Sequence, residues 1–536
     1  MSAAIDLARR VLARSPAGTR EDAPRIGLAE IAGWLTEGRP AAWAPAAALV
    51  VGAVPFAAFT TLILYHFYIK GGFLWDSGLL AYLISESDPR LPSPAIMGGT
   101  SFFGTHVTAI FVVLSLIRRL LPVSDPQFFA LFTGLCHALP GLAVFWLLYS
   151  GFRLRTPFGV GIAAVLALAF SFNGLVLAIA RYPHFEMLIT GGALLFFVAL
   201  SQRRTGLAAI FFAICLMTRE DAGFHLFALL FLLIALNRYR GIAWREQRRE
   251  IAFALLALGY SLGALALQHA LFDNQSSLAR IYLGDPAFGK LTLSLLGERL
   301  LGYTQYRTYI VLPAILALLW AARTGNPYIV LGYAAFLPWA ALHLVADSDI
   351  AGTLSSYYAY PFIIACFWPL MGVLVEHTRC RRPNPEVLAI LGFAAMIAGS
   401  FTALGYQANP GQMELPAGFW SPPSLARQAA TDHALRLIVR SKAELGSVMV
   451  DGSVLGLVPN EFSRNETVWD TGGRRPDTVI YFAGGYESKA ARALAARAGL
   501  DIHYAATGTA IRLATDRALA ASSPLASVLA PAASSE

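Results

Sequence analysis

The feature that most limits what this chain can fold into is a recurrence of apolar runs about as long as a lipid hydrocarbon core is thick. A helix rises about 1.5 Å per residue, so about 20 apolar residues cross such a core. Runs that meet or approach this length are read at 43–68, 127–150, 157–180, 185–201, 205–217 and 222–237. Five more follow at 251–271, 306–323, 326–345, 357–377 and 385–405. Because lipid offers no water to the backbone, each run must satisfy its own N–H and C=O groups as a helix. The expected fold is therefore a polytopic α-helical membrane protein with about eleven spans. Composition agrees: 56% of the 536 residues are hydrophobic and 14% are charged, against roughly 25% charged in a soluble globule.

Charge sets the expected orientation. The net charge of +8 comes from short basic clusters between apolar runs, among them "GFRLR", "SQRR", "NRYRGIAWREQRR", "AARTG" and "EHTRCRR". These fall on one side together with the arginine-bearing N-terminus, as cytoplasmic retention charges do, and nucleic acid is not an expected partner. The parity works if 106–121, "HVTAIFVVLSLIRRLL", is a non-crossing interfacial or re-entrant helix in an outer loop spanning 69–126. The N-terminus is then cytoplasmic and the C-terminus outside. Abundant arginine and alanine associate the chain with a high-GC bacterial composition, and the expected location is the bacterial cytoplasmic (inner) membrane of the cell envelope. No apolar core with a small-residue cleavage site marks the first 40 residues. The cysteines, Cys136, Cys215, Cys366 and Cys380, lie in or beside expected spans and outline no disulfide framework.

Domain organisation follows. Residues 1–42 form a cytoplasmic amphipathic segment containing "IDLARRVLAR", and 43–405 the transmembrane domain. Residues 406–515 change character: a polar helix over "PSLARQAATDHALRLIVRSKAELG", a β-rich "SVMVDGSVLGLV", a strand "DTVIYF", a helix "SKAARALAARAG" and a hairpin over "IHYAATGTAIRLA". They predict a small extracytoplasmic α/β domain. The alanine-, serine- and proline-rich segment 516–536 is expected to be disordered.

The chemically interesting residues collect on the outer connections. In "YIKGGFLWDSGLLAYLI", Asp76 is a lone acid at a membrane edge, either an N-cap for a helix over 77–85 or a base or metal ligand. "GGTSFFGTHV" places His106 at the start of the interfacial helix, where the helix dipole favours a neutral imidazole. "ARYPHFEM" offers Arg181, His184 and Glu186; "TREDAGFH" offers Arg219, Glu220, Asp221 and His225, whose acids also suit a helix start. Convergence of these groups would suit a phosphate-bearing substrate, neutralised by Arg or by a divalent cation, with a carboxylate activating a hydroxyl. The spacing specifies no metal. "SSYYAYP" supplies Tyr357, Tyr358 and Tyr360, read as an aromatic belt or as a sugar-stacking surface. His343, Asp347 and Asp349 before it read as solvated. Phosphate-loop, zincin and esterase signatures are absent.

The pieces "FLWDSGLLAYLI", "FFGTHVTAIFVVLSLI", "RYPHFEM", "TREDAGFHLFALL" and "SSYYAYPF" resemble a prokaryotic membrane-protein family known as domain-of-unknown-function family 2079, related to the GT-C glycosyltransferases. The resemblance covers about Gly72 through the C-terminal domain. It implies a GT-C-like membrane fold and transfer of sugar from a polyprenyl-phosphate carrier to an acceptor outside the cytoplasm, with Asp76 as the acid-base residue. Val107 follows His106 where the family's usual pattern has proline, and Asp76 stands alone instead of in a paired acidic motif.

The expected function is an inverting sugar transferase in which Asp76 activates the acceptor. Arg181 or Arg219 holds the leaving phosphate, and His106, Glu186 and Glu220 shape the site or bind a cation. His184, Asp221, Tyr357 and Tyr358 complete the expected substrate contacts. A transporter or flippase of lipid-linked sugars would instead place ionisable groups at the bilayer midplane. A non-catalytic envelope assembly protein would be indifferent to loss of Asp76.

Overall fold

The computed structural model describes residues 27–71, 75–272, 278–379, 385–401 and 417–532. The "IDLARRVLAR" segment, Cys380 and the expected boundary at 405–406 lie outside the described residues.

The chain is mostly helical. Six helices are long and apolar enough to cross a membrane: Ala44–Lys70, Asp125–Gly151, Ala222–Tyr239, Trp244–Leu271, Pro327–Leu344 and Tyr357–Thr378. Two further apolar stretches are broken. The expected span over 157–180 bends by 40° between Pro157–Ser171 and Gly174–Ala180. There the Asn173 side chain accepts from the N–H groups of Leu175 and Val176 at 2.9 Å, capping a new helix. The stretch expected at 306–323 is likewise preceded by a helix, Leu293–Tyr306, set at 82° to Thr308–Thr324. Arg307 at this corner donates from Nε to the Thr353 carbonyl at 2.9 Å.

Three other expected spans are shorter apolar helices: Met187–Ser201, Thr205–Thr218 and Pro385–Ser400. Met187–Ser201 is apolar on all sides because protein surrounds it: every residue from Met187 to Leu200 is buried. The segment expected to lie at the interface contains a ten-residue helix, Ile110–Arg119, about 15 Å long. Its last turn is tied down by Arg118 Nε donating to Asp125 at 3.1 Å.

Two helices that frame the site meet backbone to backbone. A side chain at Gly223 would strike the Ala257 carbonyl, so Ala222–Tyr239 and the Arg248–Leu271 helix approach closely there. Trp244–Leu271 is also the most peripheral long helix, with 28% of its apolar window buried.

The C-terminal domain has a five-stranded sheet of order β1-β2-β4-β3-β5. The strands are β1 (Val448–Val450), β2 (Thr478–Phe482), β3 (Ile502–Ala506), β4 (Ile511–Thr515) and β5 (Leu529–Pro531). β1 and β2 are parallel and the other pairs antiparallel. Because side chains alternate across a strand, Val448 and Val450 pack towards helix Leu425–Arg440, and Met449 towards helix Ser488–Arg497.

Two expectations fail here. The β-rich reading of "SVMVDGSVLGLV" holds only for β1, because Asp451 accepts from Val454 N–H at 2.8 Å and starts a helix, Gly452–Leu457. The segment 516–536 is not disordered over its described part. Leu525 and Leu529 are buried, β5 pairs with β3, and Ser523 donates to Glu444 at 2.6 Å. A few leucines and a free sheet edge suffice to order an otherwise small-residue segment.

The domain packs on the end of the first long helix and the start of the second. Ser453 Oγ donates to the Gly71 carbonyl at 2.8 Å, Arg427 Nε to the Tyr68 carbonyl at 2.8 Å, and Gln127 to Gln428 at 2.8 Å.

Candidate functional site

The N-terminal ends of Met187–Ser201 and Ala222–Tyr239, the short helix Trp75–Leu83 and the turn before Pro361–Arg379 meet at one end of the bundle. Asp76 lies in the first turn of Trp75–Leu83, where a carboxylate is favoured by the helix dipole; it does not cap a helix over 77–85. Its Oδ2 accepts a hydrogen bond from the Tyr182 hydroxyl. Burial pushes the Asp76 carboxyl above its usual range, opposed by that hydroxyl and by His184.

Beside Asp76 an ionic network runs from His184 to His106. His184 contacts Glu186, which is fully buried. Arg219 Nη1 donates to Glu186 Oε1 at 2.5 Å and Arg219 Nη2 pairs with Asp221 Oδ2 at 2.8 Å. Glu220 Oε1 lies 4.0 Å from Arg219 Nε and 2.9 Å from His106 Nδ1, while its Oε2 accepts from Val107 N–H at 2.9 Å. The Glu220 carboxyl is buried, which would raise it, yet His106 and Arg219 hold it below its usual range. Burial pushes Asp221 up to about 6, with Arg219 opposing and Glu220 reinforcing. Three carboxylates, Glu186, Glu220 and Asp221, thus share one guanidinium and the neighbouring imidazoles. Such a cluster persists away from water only because its members pair with one another.

The network forms one wall of a cavity of about 320 Å³ between Ala222–Tyr239, Trp244–Leu271 and the Leu337–Leu344 helix. His106, Arg219, Glu220, Asp221 and His225 supply its polar side. Phe224, Leu265, Trp339 and Leu342 supply the apolar side. Three buried atoms of the polar wall, Arg219 Nε, Asp221 Oδ1 and His225 Nε2, have no hydrogen-bond partner. Buried groups of this kind are ordinarily satisfied, so one charged donor, one carboxylate oxygen and one imidazole nitrogen stand unpaired among the residues of this wall. Leu265, on the most peripheral helix, is 37% exposed.

The structure therefore brings Asp76, His106, His184, Glu186, Arg219, Glu220 and Asp221 together, with His225 beside them. Arg181 caps the C-terminal end of Gly174–Ala180, half-buried and away from the cavity wall. Glu186 is sealed behind His184 and Arg219, so it can position those groups but not touch a substrate. Of the tyrosines, Tyr357 stacks on His184 with centroids 4.1 Å apart, Tyr358 packs on Tyr357 at 4.3 Å, and Tyr360 is buried. The Tyr357 face turned to His184 is thereby unavailable to a sugar.

His343 is buried, not solvated. Its Nδ1 lies 2.7 Å from the Ala351 carbonyl and its Nε2 3.3 Å from the Tyr282 hydroxyl. Asp347 pairs with Lys290 at 2.9 Å, and only Asp349 is largely exposed. Tyr182, Tyr282, Gln268 and Trp339 escaped the sequence reading. Tyr182 stands inside the singled-out "ARYPHFEM", whereas the other three carry no local signal. Among the described residues no three His, Cys, Asp or Glu side chains are grouped to hold a metal ion. The residues present thus do not fit the divalent cation that the sequence left open, and no step is derived through one.

No family model and no curated protein matches the chain. Among solved structures it is similar to ArnT from Cupriavidus metallidurans, crystallised bound to undecaprenyl phosphate. The two share 13% identity over 89% of this chain and 99% of that one, with a TM-score of 0.47.

Proposed function

We propose that the chain is a GT-C-type glycosyltransferase that moves a sugar from a polyprenyl-phosphate-linked donor to an acceptor on the outer side of a bacterial cytoplasmic membrane. The observation that carries this reading is the two-sided cavity. Its apolar wall suits an isoprenoid chain, and Arg219 and His225 on its polar wall suit the phosphate at the end of that chain.

In this reading Asp76 takes the proton of the acceptor hydroxyl. The freed oxygen attacks the anomeric carbon as the carbon–oxygen bond to the carrier phosphate breaks, and polyprenyl phosphate leaves with its electron pair. Attack opposite the leaving group inverts the anomeric centre. Arg219 faces the negative charge that grows on the leaving phosphate, where a preorganised donor contributes most. Tyr182 orients Asp76, while Glu186 and His184 hold Arg219 in place.

The test is sugar transfer from a panel of radiolabelled polyprenyl-phosphate sugars in membranes holding equal amounts of wild type or Asp76→Asn. Loss of about 100-fold or more in the variant is expected. Equal transfer by both would remove Asp76 from the chemistry. Movement of labelled lipid across the bilayer without transfer would replace the transferase by a flippase.

A further inference from the structure

A second, larger cavity lies at the opposite end of the bundle. The acid cluster sits at the start of Met187–Ser201 and Ala222–Tyr239, whereas this recess of about 870 Å³ is lined by Leu200 and Ser201 at the end of the first and by Asn237 near the end of the second. Five arginines line it: Arg203, Arg240, Arg245, Arg248 and Arg249. Only Arg240 has an ion-pair partner, Glu376 at 3.4 Å; among the described residues the other four form none. Retention charge alone accounts for arginines scattered over the loops on this side. It does not account for five around one hollow.

Two observations inside the recess point to a ligand. Gln247 is buried and its Oε1 accepts no hydrogen bond, and the buried Glu250 Oε2 is likewise unpartnered. The recess therefore offers guanidinium donors for an anion and, beside them, acceptors that need a donor. Arg203 is also held at φ +59°, a left-handed conformation uncommon outside glycine that local packing must enforce. On the neighbouring helix ends, Trp244 and Tyr239 are 56% and 87% exposed. Leu374 and Val375 add apolar surface to the recess.

We propose that this recess binds the headgroup of a phospholipid from the leaflet opposite the acid cluster, of the class whose headgroup carries hydrogen-bond donors as well as phosphate. The arginines take the phosphate, and Gln247 and Glu250 take the ammonium or hydroxyl groups of phosphatidylethanolamine or phosphatidylglycerol. Phosphatidylcholine, which has the phosphate but no such donor, satisfies only half of the site.

The experiment is native mass spectrometry of the full chain in detergent, titrated separately with phosphatidylethanolamine, phosphatidylglycerol and phosphatidylcholine, with competition by inorganic phosphate. The first two lipids are expected to bind about tenfold or more tightly than the third. In Arg248→Gln/Arg249→Gln that preference should fall several-fold, whereas Arg323→Gln, outside the recess, should behave as wild type. Gln247→Leu, which keeps the arginines, should narrow the gap to phosphatidylcholine and serves as the second variant should the double substitution fail to fold. Equal binding of all three lipids, or no response to these substitutions, would overturn the proposal. Displacement of lipid by inorganic phosphate at matched concentration would assign the recess to a soluble anion instead.

Discussion

Replacing Gly78 by alanine tests whether the C-terminal domain holds the Asp76 helix in place. Gly78 lies two residues after Asp76 in Trp75–Leu83, and a β-carbon there would sit 2.5 Å from Gly456 Cα and 2.6 Å from Gly456 C, besides striking the Gly456 carbonyl oxygen. All three atoms are backbone of the helix Gly452–Leu457, so no rotamer change relieves the overlap. Carbon–oxygen contacts settle near 3.3–3.6 Å, so the two helices must part by about 1 Å. Overpacking of a contact that cannot yield lies at the upper end of about 1–3 kcal/mol, and alanine returns about 1 kcal/mol of helix propensity. The net expectation is a loss of about 2 kcal/mol in docking stability. A 1 Å displacement of a reacting group costs on the order of 100-fold in rate. Gly161→Ala is the control, because a β-carbon at Gly161 meets nothing within 4 Å. Limited proteolysis and thermal unfolding in detergent report the docking, and sugar transfer reports the position of Asp76. Indistinguishable proteolysis, melting and transfer for the two variants would refute the argument that this backbone contact positions the acid.

Tyr182→Phe removes the hydroxyl that favours the ionised form of Asp76, so the Asp76 carboxyl should rise further. Since the base is active only when ionised, the acid limb of the transfer pH–rate profile should move to higher pH, while the plateau rate changes less; an unmoved limb would separate Tyr182 from Asp76. Glu186→Ala leaves Arg219 without its 2.5 Å partner and should lower stability by about 3–5 kcal/mol, measured by thermal unfolding against the exposed-site control Glu298→Ala. A melt matching that control would show that Asp221 and Glu220 suffice to hold the guanidinium.

The sequence carried the class of the molecule and the cast of its candidate site. Apolar runs of spanning length admit only one way to satisfy a backbone in lipid, so most helices could be placed before any coordinates. Four short motifs, around Asp76, His106, Glu186 and Glu220, contained nearly every charged group of the polar cluster, because charge at a membrane edge stands out against apolar surroundings. Partner choice was not legible. Arg219 reads in sequence as a free phosphate clamp, but only the fold shows Glu186 and Asp221 already on its terminal nitrogens, with Nε buried and without a hydrogen-bond partner. The bends at Asn173 and Arg307 depend on local capping and cross-chain bonds that hydropathy does not record. His343 and Tyr282, 61 residues apart, meet through tertiary packing, and so does the apolar wall around Trp339. Gly78 and Gly456 show the same division most plainly. Each is an ordinary glycine in a list of residues, and only their contact makes the C-terminal domain a support for the helix that carries Asp76. Sequence determines what each segment can tolerate around it; which tolerant surfaces meet is decided by the whole chain packing at once.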